Sequence, residues 1–305
     1  MMTPQSFSKN FYANSKDDIM ILCQDKQLDV QYIKYLLANP TVCVPSMLLF
    51  GEPGAGKTSF AKYLATELEA ELIFAPCYDG VASEQLVYNW DLGTLVDAMT
   101  DETTKGREAM KDGYLLQALR MSNDRKVVLL IDEIDKAKPS VDTFLLSYMQ
   151  ECMLNDPLTG VVKGNKNNLF IVITSNKRRE LEDALDRRIS MIREFKFPNK
   201  SELIDQVKSM INVPYNESKF NFLIDLVITY RNLSVSKKPS QNQIADLIQE
   251  LFFIGCSPVG RKKSYDLKFR ALLWKLSQNQ DDHQIFLHNV VNRYKGKSSY
   301  VGSML

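Results

Sequence analysis

The residues Gly51-Glu52-Pro53-Gly54-Ala55-Gly56-Lys57-Thr58, followed by Ser59, spell G-x-x-x-x-G-K-[ST]. Glycines at this spacing let a loop curl so that its backbone N–H groups converge on one point. A helix that starts at the end of the loop adds the positive end of its dipole. Lys57 then supplies a point charge for the β- and γ-phosphates of a nucleoside triphosphate, and the Thr58 hydroxyl can ligate Mg2+. The chemistry this predicts is binding of ATP with Mg2+ by Gly51–Ser59.

Binding alone transforms nothing, so the acids matter next. Val128-Leu129-Leu130-Ile131-Asp132-Glu133 is an apolar run ending in two carboxylates. Asp132 is placed to hold Mg2+, directly or through water, and Glu133 to orient and polarise an attacking water. Asp135, two residues on, reads as a structural or secondary acid. Ile173-Thr174-Ser175-Asn176 ends another apolar run on an amide, which can hydrogen-bond the γ-phosphate or the lytic water. Asp186-Arg187-Arg188 sets two arginines side by side. Such a pair can project onto a neighbouring subunit's γ-phosphate and stabilise transition-state charge in trans. The sequence does not choose between Arg187 and Arg188.

These residues need elements to hold them. Met47–Phe50 is a short apolar run stopped by glycine, and after the loop Phe60, Tyr63, Leu64 and Leu68 recur at helical spacing. Leu72–Ala75, Val127–Ile131 and Leu169–Ile173 are further continuous apolar runs, and a last strand is expected over Arg193–Phe197, closed by Pro198. Strands buried on both faces and alternating with helices predict a parallel α/β sheet. Helical spacing also marks Leu28–Pro40, and Pro139 opens a helix with Val141, Phe144, Leu145 and Tyr148 on its apolar face. Beyond Pro198 only helical patterns remain, over Glu202–Ile211, Phe220–Leu233, Gln243–Phe253 and Ala271–Leu276. The expected fold is a three-layer P-loop NTPase domain over residues 1–198. A small all-helical lid with a basic C-terminal segment follows over 199–305.

Composition sets bounds. Of the 305 residues 45% are hydrophobic and 25% charged, as in an ordinary globular protein, and the net charge of +1 exerts no global pull toward nucleic acid or acidic membranes. Residues 231–305 nevertheless hold 12 Lys/Arg against 5 Asp/Glu. Five scattered cysteines, no Cys-x-x-Cys pair and two histidines argue against a disulfide framework or a structural zinc. The start has no apolar run that would serve as a signal peptide, and no 18-residue apolar stretch occurs, so a cytoplasmic protein without a membrane anchor is expected.

The order of these motifs resembles AAA+ ATPases: Walker A over 51–58, Walker B over 128–133, a sensor 1 at Asn176 and arginine fingers at Arg187 and Arg188. The wording is similar to the MoxR family, in particular its CoxD-like members associated with von Willebrand A-domain proteins. LLFGEPGAGKTSFAKYLA, LVYNWD, GYLLQALRMSNDRKVVLLIDEIDKA, FLLSYMQE, IVITSNKRRELEDALDRRISMIREFKFP and KKPSQNQIADLIQEL carry the likeness, across roughly residues 45–252. The resemblance implies a homo-hexamer or other ring. It also implies a protein client, with a von Willebrand A-domain protein as one candidate, and chaperone-like remodelling. An insert within 78–112, around Leu86–Trp90, and a β-hairpin within 153–168 are implied as well. One departure stands out: Pro239-Ser240-Gln241-Asn242-Gln243 lacks the sensor 2 arginine of many AAA+ lids, leaving Lys237 or Lys238 as substitutes. Two other readings remain. A McrB-like nucleic-acid-linked or phage-defence motor is favoured only by the basic tail. An ATP-binding switch with negligible turnover is favoured only by the missing arginine.

Overall fold

The computed structural model describes residues 26–40, 42–90, 110–156, 159–177, 179–235, 238–253, 274–277 and 279–294. The chain divides into two compact units, one of residues up to Glu52 with Lys57–Phe195, the other of Lys196–Leu305 with Pro53–Gly56.

In the first unit, helix α1 (Lys26–Ala38) leads to strand β1 (Ser46–Gly51), and helix α2 (Lys57–Glu67) begins after Pro53–Gly56. Strand β2 (Glu71–Pro76) and helix α3 (Ser83–Val87) follow, then strands β3 (Tyr88–Trp90) and β4 (Met110–Asp112), which pair antiparallel. These lie within the expected insert, of which residues 91–109 fall outside the described residues. Helix α4 (Tyr114–Ser122), strand β5 (Val127–Asp132), a 3-10 turn (Ile134–Lys136) and helix α5 (Ser140–Glu151) come next. An antiparallel hairpin, β6 (Met153–Asp156) and β7 (Gly160–Lys163), precedes β8 (Leu169–Ser175), the single-turn helix α6 (Asp183–Asp186) and β9 (Met191–Phe195).

The main sheet has the order β2-β5-β8-β1-β9, all neighbours parallel. Alternate residues of each strand serve opposite cores. Leu48, Leu129, Ile171 and Ile173 pack with Leu115, Leu119, Leu145 and Tyr148 of α4 and α5. On the other face Met47, Leu49, Leu130 and Val172 meet Ile33, Phe60 and Leu64 of α1 and α2. Both faces are covered, which is why the strands read as continuous apolar runs. The three-layer parallel architecture is as expected.

The last strand is a correction: it occupies Met191–Phe195, not Arg193–Phe197, in register with Met47–Gly51. Arg193 is tolerated inside the sheet because its guanidinium pairs with buried Asp29 of α1 and lies 4.6 Å from the Phe60 ring centre. Phe197 has left the sheet. In the second unit its ring stacks under the guanidinium of Arg231, 4.2 Å away.

The second unit holds helices α7 (Lys200–Met210), α8 (Glu217–Arg231), α9 (Gln241–Phe253) and α10 (Gln280–Tyr294) around a separate core that includes Val207, Phe220, Ile224, Ile248 and Phe286. Start signals agree with chemistry. Asn199 and Glu202 form a reciprocal capping box at α7, each accepting the other's backbone N–H at 3.0 Å. Helix α10 was not anticipated from sequence, and of the helix expected over Ala271–Leu276 the described part is a helical turn over 274–277, residues 271–273 lying outside. Among the described residues no helix is long and apolar enough to cross a membrane. Cys43, Cys77 and Cys152 are buried free thiols, and Cys23 and Cys256 lie outside the described residues.

Candidate active site

All five strands point the same way, so the ends of β1, β5 and β8 share one edge, the place where parallel sheets bind ligands. At that edge β1 ends on Gly51, whose φ of +140° and closeness to the Phe195 carbonyl leave no room for a side chain. The chain then turns, with Gly56 at φ +100°, and enters α2 at Lys57. A helix N-terminus therefore follows directly on the loop, as phosphate binding requires.

Lys57 is buried, and its ammonium donates to the carbonyl oxygens of Gly51 (2.8 Å) and Glu52 (3.0 Å) and to Oδ1 of Asn176 (2.7 Å). Burial pulls its pKa below the usual 10.5, against the opposing pull of Asp132, Asp135, Glu133 and Glu52. Four acids around one lysine suit a phosphate that arrives with a divalent cation better than a bare anion.

The metal fit can be tested on two oxygens. The Thr58 hydroxyl donates to Asp132 Oδ1 at 3.0 Å. Adjacent ligands of an octahedral Mg2+ with bonds of about 2.1 Å lie about 3.0 Å apart. A hydroxyl and a carboxylate at this separation are a hard-oxygen pair that fits Mg2+. Thr58 and Asp132 would hold it, and the ion would neutralise charge on the phosphate oxygens.

Glu133 follows Asp132 in the left-handed region, φ 58° and ψ 49°, a conformation that costs a non-glycine residue on the order of 1 kcal/mol. Its Oε1 accepts from the Asn176 amide at 2.9 Å, its Oε2 pairs with Lys136, and its backbone N–H donates to Thr174 Oγ1 at 2.8 Å. Asn176 is thereby oriented without ambiguity: its amide oxygen faces an ammonium and its amide nitrogen a carboxylate. Its backbone N–H donates to Asp135 Oδ1 at 3.0 Å, which accounts for that acid as structural. Lys57, Thr58, Asp132, Glu133 and Asn176 thus form one connected network. In it Asn176 touches both Lys57 and Glu133, a carboxylate of the kind that can take a proton from water. Ser59 is exposed on α2.

Arg187 and Arg188 are not in this network. Both are exposed in the turn after α6, just ahead of Met191. Met191 pairs with Met47 and Phe195 with Gly51, so this turn lies at the edge opposite the loop, a strand length on the order of 13 Å away. A hollow of about 700 Å3 lies between Lys177 and Arg187 against Leu48 and Phe50. Ser175 lines it as well, so it reaches the ends of β1 and β8, but none of Lys57, Thr58, Asp132 or Glu133 lines it.

Sequence reasoning missed several participants. Thr174 and Lys136 carry no local spacing that singles them out. Asp142 looks like a routine helix-start acid, yet it is buried and accepts both terminal nitrogens of Arg179, at 2.6 and 2.7 Å. The stretch that lacks the sensor 2 arginine has a job of its own. Ser240 N–H donates to Gln243 Oε1 at 2.9 Å and Gln243 N–H to Ser240 Oγ at 3.3 Å, the box that starts α9. Lys238 lies 5.7 Å from the Phe197 ring centre, and Lys237 is outside the described residues.

Residues 46–189, just under half of the chain, match the family model described as AAA domain (dynein-related subfamily). The ATP-dependent Clp protease ATP-binding subunit ClpA homolog of Brassica napus is 27% identical over 225 residues, 71% of this chain and 23% of that protein. Chaperone protein ClpC1 of Arabidopsis thaliana is 27% identical over 71% of this chain and 22% of its own length. Chaperone protein ClpB of Mycoplasma genitalium is 28% identical over 174 residues, 55% of this chain and 22% of its own. The chain therefore spans under a quarter of the length of these relatives. The solved structure of C. elegans PCH-2 overlaps 88% of this chain and 69% of its own at a TM-score of 0.46 and 15% identity. The AAA match spans the loop, both acids and Asn176.

Proposed function

We propose that the chain hydrolyses ATP and works as a MoxR-type protein remodeller in a homo-hexamer or similar ring, a reading supported by the AAA match over residues 46–189. In this reading residues 199–305 serve as its helical lid, ATP comes with Mg2+, and the client is a protein, with a von Willebrand A-domain protein as the candidate partner. One observation carries the ring: Arg187 and Arg188 are exposed at the sheet edge opposite their own phosphate loop, so they suit a neighbour's nucleotide and not their own. The β6–β7 hairpin directly ahead of β8, which the MoxR resemblance implies, supports the finer assignment. The relatives named chaperones support remodelling as the use made of the hydrolysis.

Mixing tests the ring. Lys57→Ala subunits lack nucleotide binding but keep their arginines, while Arg187→Ala/Arg188→Ala subunits keep nucleotide but lack the fingers. Each is inactive alone, and a mixture regains measurable turnover when fingers act across subunits. Silence at every ratio removes the ring reading.

A further inference from the structure

The hydroxyl of Thr174 stands between the two acids that do the chemistry. Thr174 is fully buried on β8, one step past the pairing of Ile131 with Ile173, and its side chain reaches across to the end of β5. Its Oγ1 donates to Asp132 Oδ1 at 2.7 Å and accepts the backbone N–H of Glu133 at 2.8 Å. A hydroxyl has one proton, so both roles are consistent only with that proton on the Asp132 side. The same Asp132 Oδ1 accepts from Thr58.

We propose that Thr174 is a positioning residue for ATP hydrolysis, setting the Asp132 carboxylate and the Glu133 backbone through one hydroxyl. The Glu133 backbone needs holding: a glutamate at φ 58° sits in a sparsely populated region, and its N–H is tied down at Thr174. Release of that bond lets the peptide after Asp132 relax toward ordinary strand or turn geometry, which swings the Glu133 carboxylate off the Asn176 amide. Loss of the donor at Asp132 leaves Thr58 as its remaining hydroxyl partner in this network, so the carboxylate is free to rotate away from the metal-binding pair. A β-branched residue that keeps the shape but lacks the oxygen therefore disturbs catalysis while leaving the phosphate loop, Lys57 and the sheet core as they are.

Thr174→Val and Thr174→Ser, compared with the parent, separate this role from a structural one. Partners that orient metal-side ligands typically matter by about 10- to 100-fold. The valine variant is expected to lose kcat by that factor with KM for ATP within about twofold, and serine to recover to within about threefold of the parent. A second readout does not depend on turnover: binding of a fluorescent ADP analogue with and without Mg2+. Valine is expected to shrink the tightening caused by Mg2+ about tenfold and to leave metal-free binding unchanged, with serine like the parent. Three results overturn the proposal. These are valine turnover within twofold of the parent with the Mg2+ effect intact, serine as impaired as valine, or valine losing metal-free ADP binding along with turnover.

Discussion

Lys57 is where burial and charge compete most openly. Its ammonium is shared among two loop carbonyls and Asn176, and burial lowers its pKa. Phosphates would favour the charged form and raise that pKa again. Between the two values binding takes up a proton, so ATP affinity must fall as pH rises through the alkaline range below 10.5. Titration of ATP binding from about pH 7 to about pH 10 should show Kd weakening, at most about tenfold per pH unit for one proton. A Kd that stays constant until pH reaches 10.5 would mean that burial does not lower the Lys57 pKa in the free protein. Lys57→Ala should abolish binding outright by equilibrium titration. Glu133→Gln separates the steps: the amide keeps the contact with Asn176 but cannot accept a proton from water. ATP binding should persist while turnover falls by about 10^2 to 10^4. Normal turnover in that variant would mean that another group is the base.

At the scale of elements the strand-to-loop junction is the sensitive point. A Cβ on Gly51 runs into the Phe195 carbonyl on the neighbouring β9, whereas a Cβ on Gly80, also at positive φ, meets nothing within 4 Å. Gly51→Ala should therefore cost about 3 kcal/mol or more by urea unfolding, through strain and displacement of β9, and Gly80→Ala only about 1 kcal/mol from its backbone. Equal costs would show that β9 gives way freely. The same junction explains what the sequence could and could not tell. Strands β1, β5 and β8 were legible because both faces are covered and no polar residue interrupts them. The start of β9 was not, because Arg193 is buried through Asp29 and Phe60, partners distant in the chain, and Pro198 marks an end two residues beyond the true one. Within the site, the loop and the acids declare themselves by local spacing. Thr174, Lys136 and the Arg179–Asp142 fork take meaning only from contacts across strands. The arginines Arg187 and Arg188 were visible as a pair, yet only the parallel register reveals which edge of the sheet they occupy.

For the molecule as a whole, the two units have separate hydrophobic cores, and that has a thermal consequence. The sheet's cores are centred on residues such as Leu64 and Leu130, and the helical core on Phe220, Ile248 and Phe286. Phe286 is fully buried and meets the Tyr230 ring edge-on at 5.1 Å, so α10 is an integral part of the helical unit despite its polar sequence. Truncation of a buried phenylalanine costs about 3–5 kcal/mol and of a buried leucine about 2–5 kcal/mol. Each cost should fall on the unit that owns the core. In calorimetry Phe286→Ala should lower the transition of the helical unit and spare that of the sheet unit, and Leu64→Ala should do the reverse. A single transition moved alike by both substitutions would mean that the units unfold as one body. Nucleotide gives a cross-check, since a ligand stabilises the state that binds it. Saturating ATP with Mg2+ should raise the transition that Leu64→Ala lowers, because Lys57, Thr58, Asp132, Glu133 and Asn176 belong to the sheet unit.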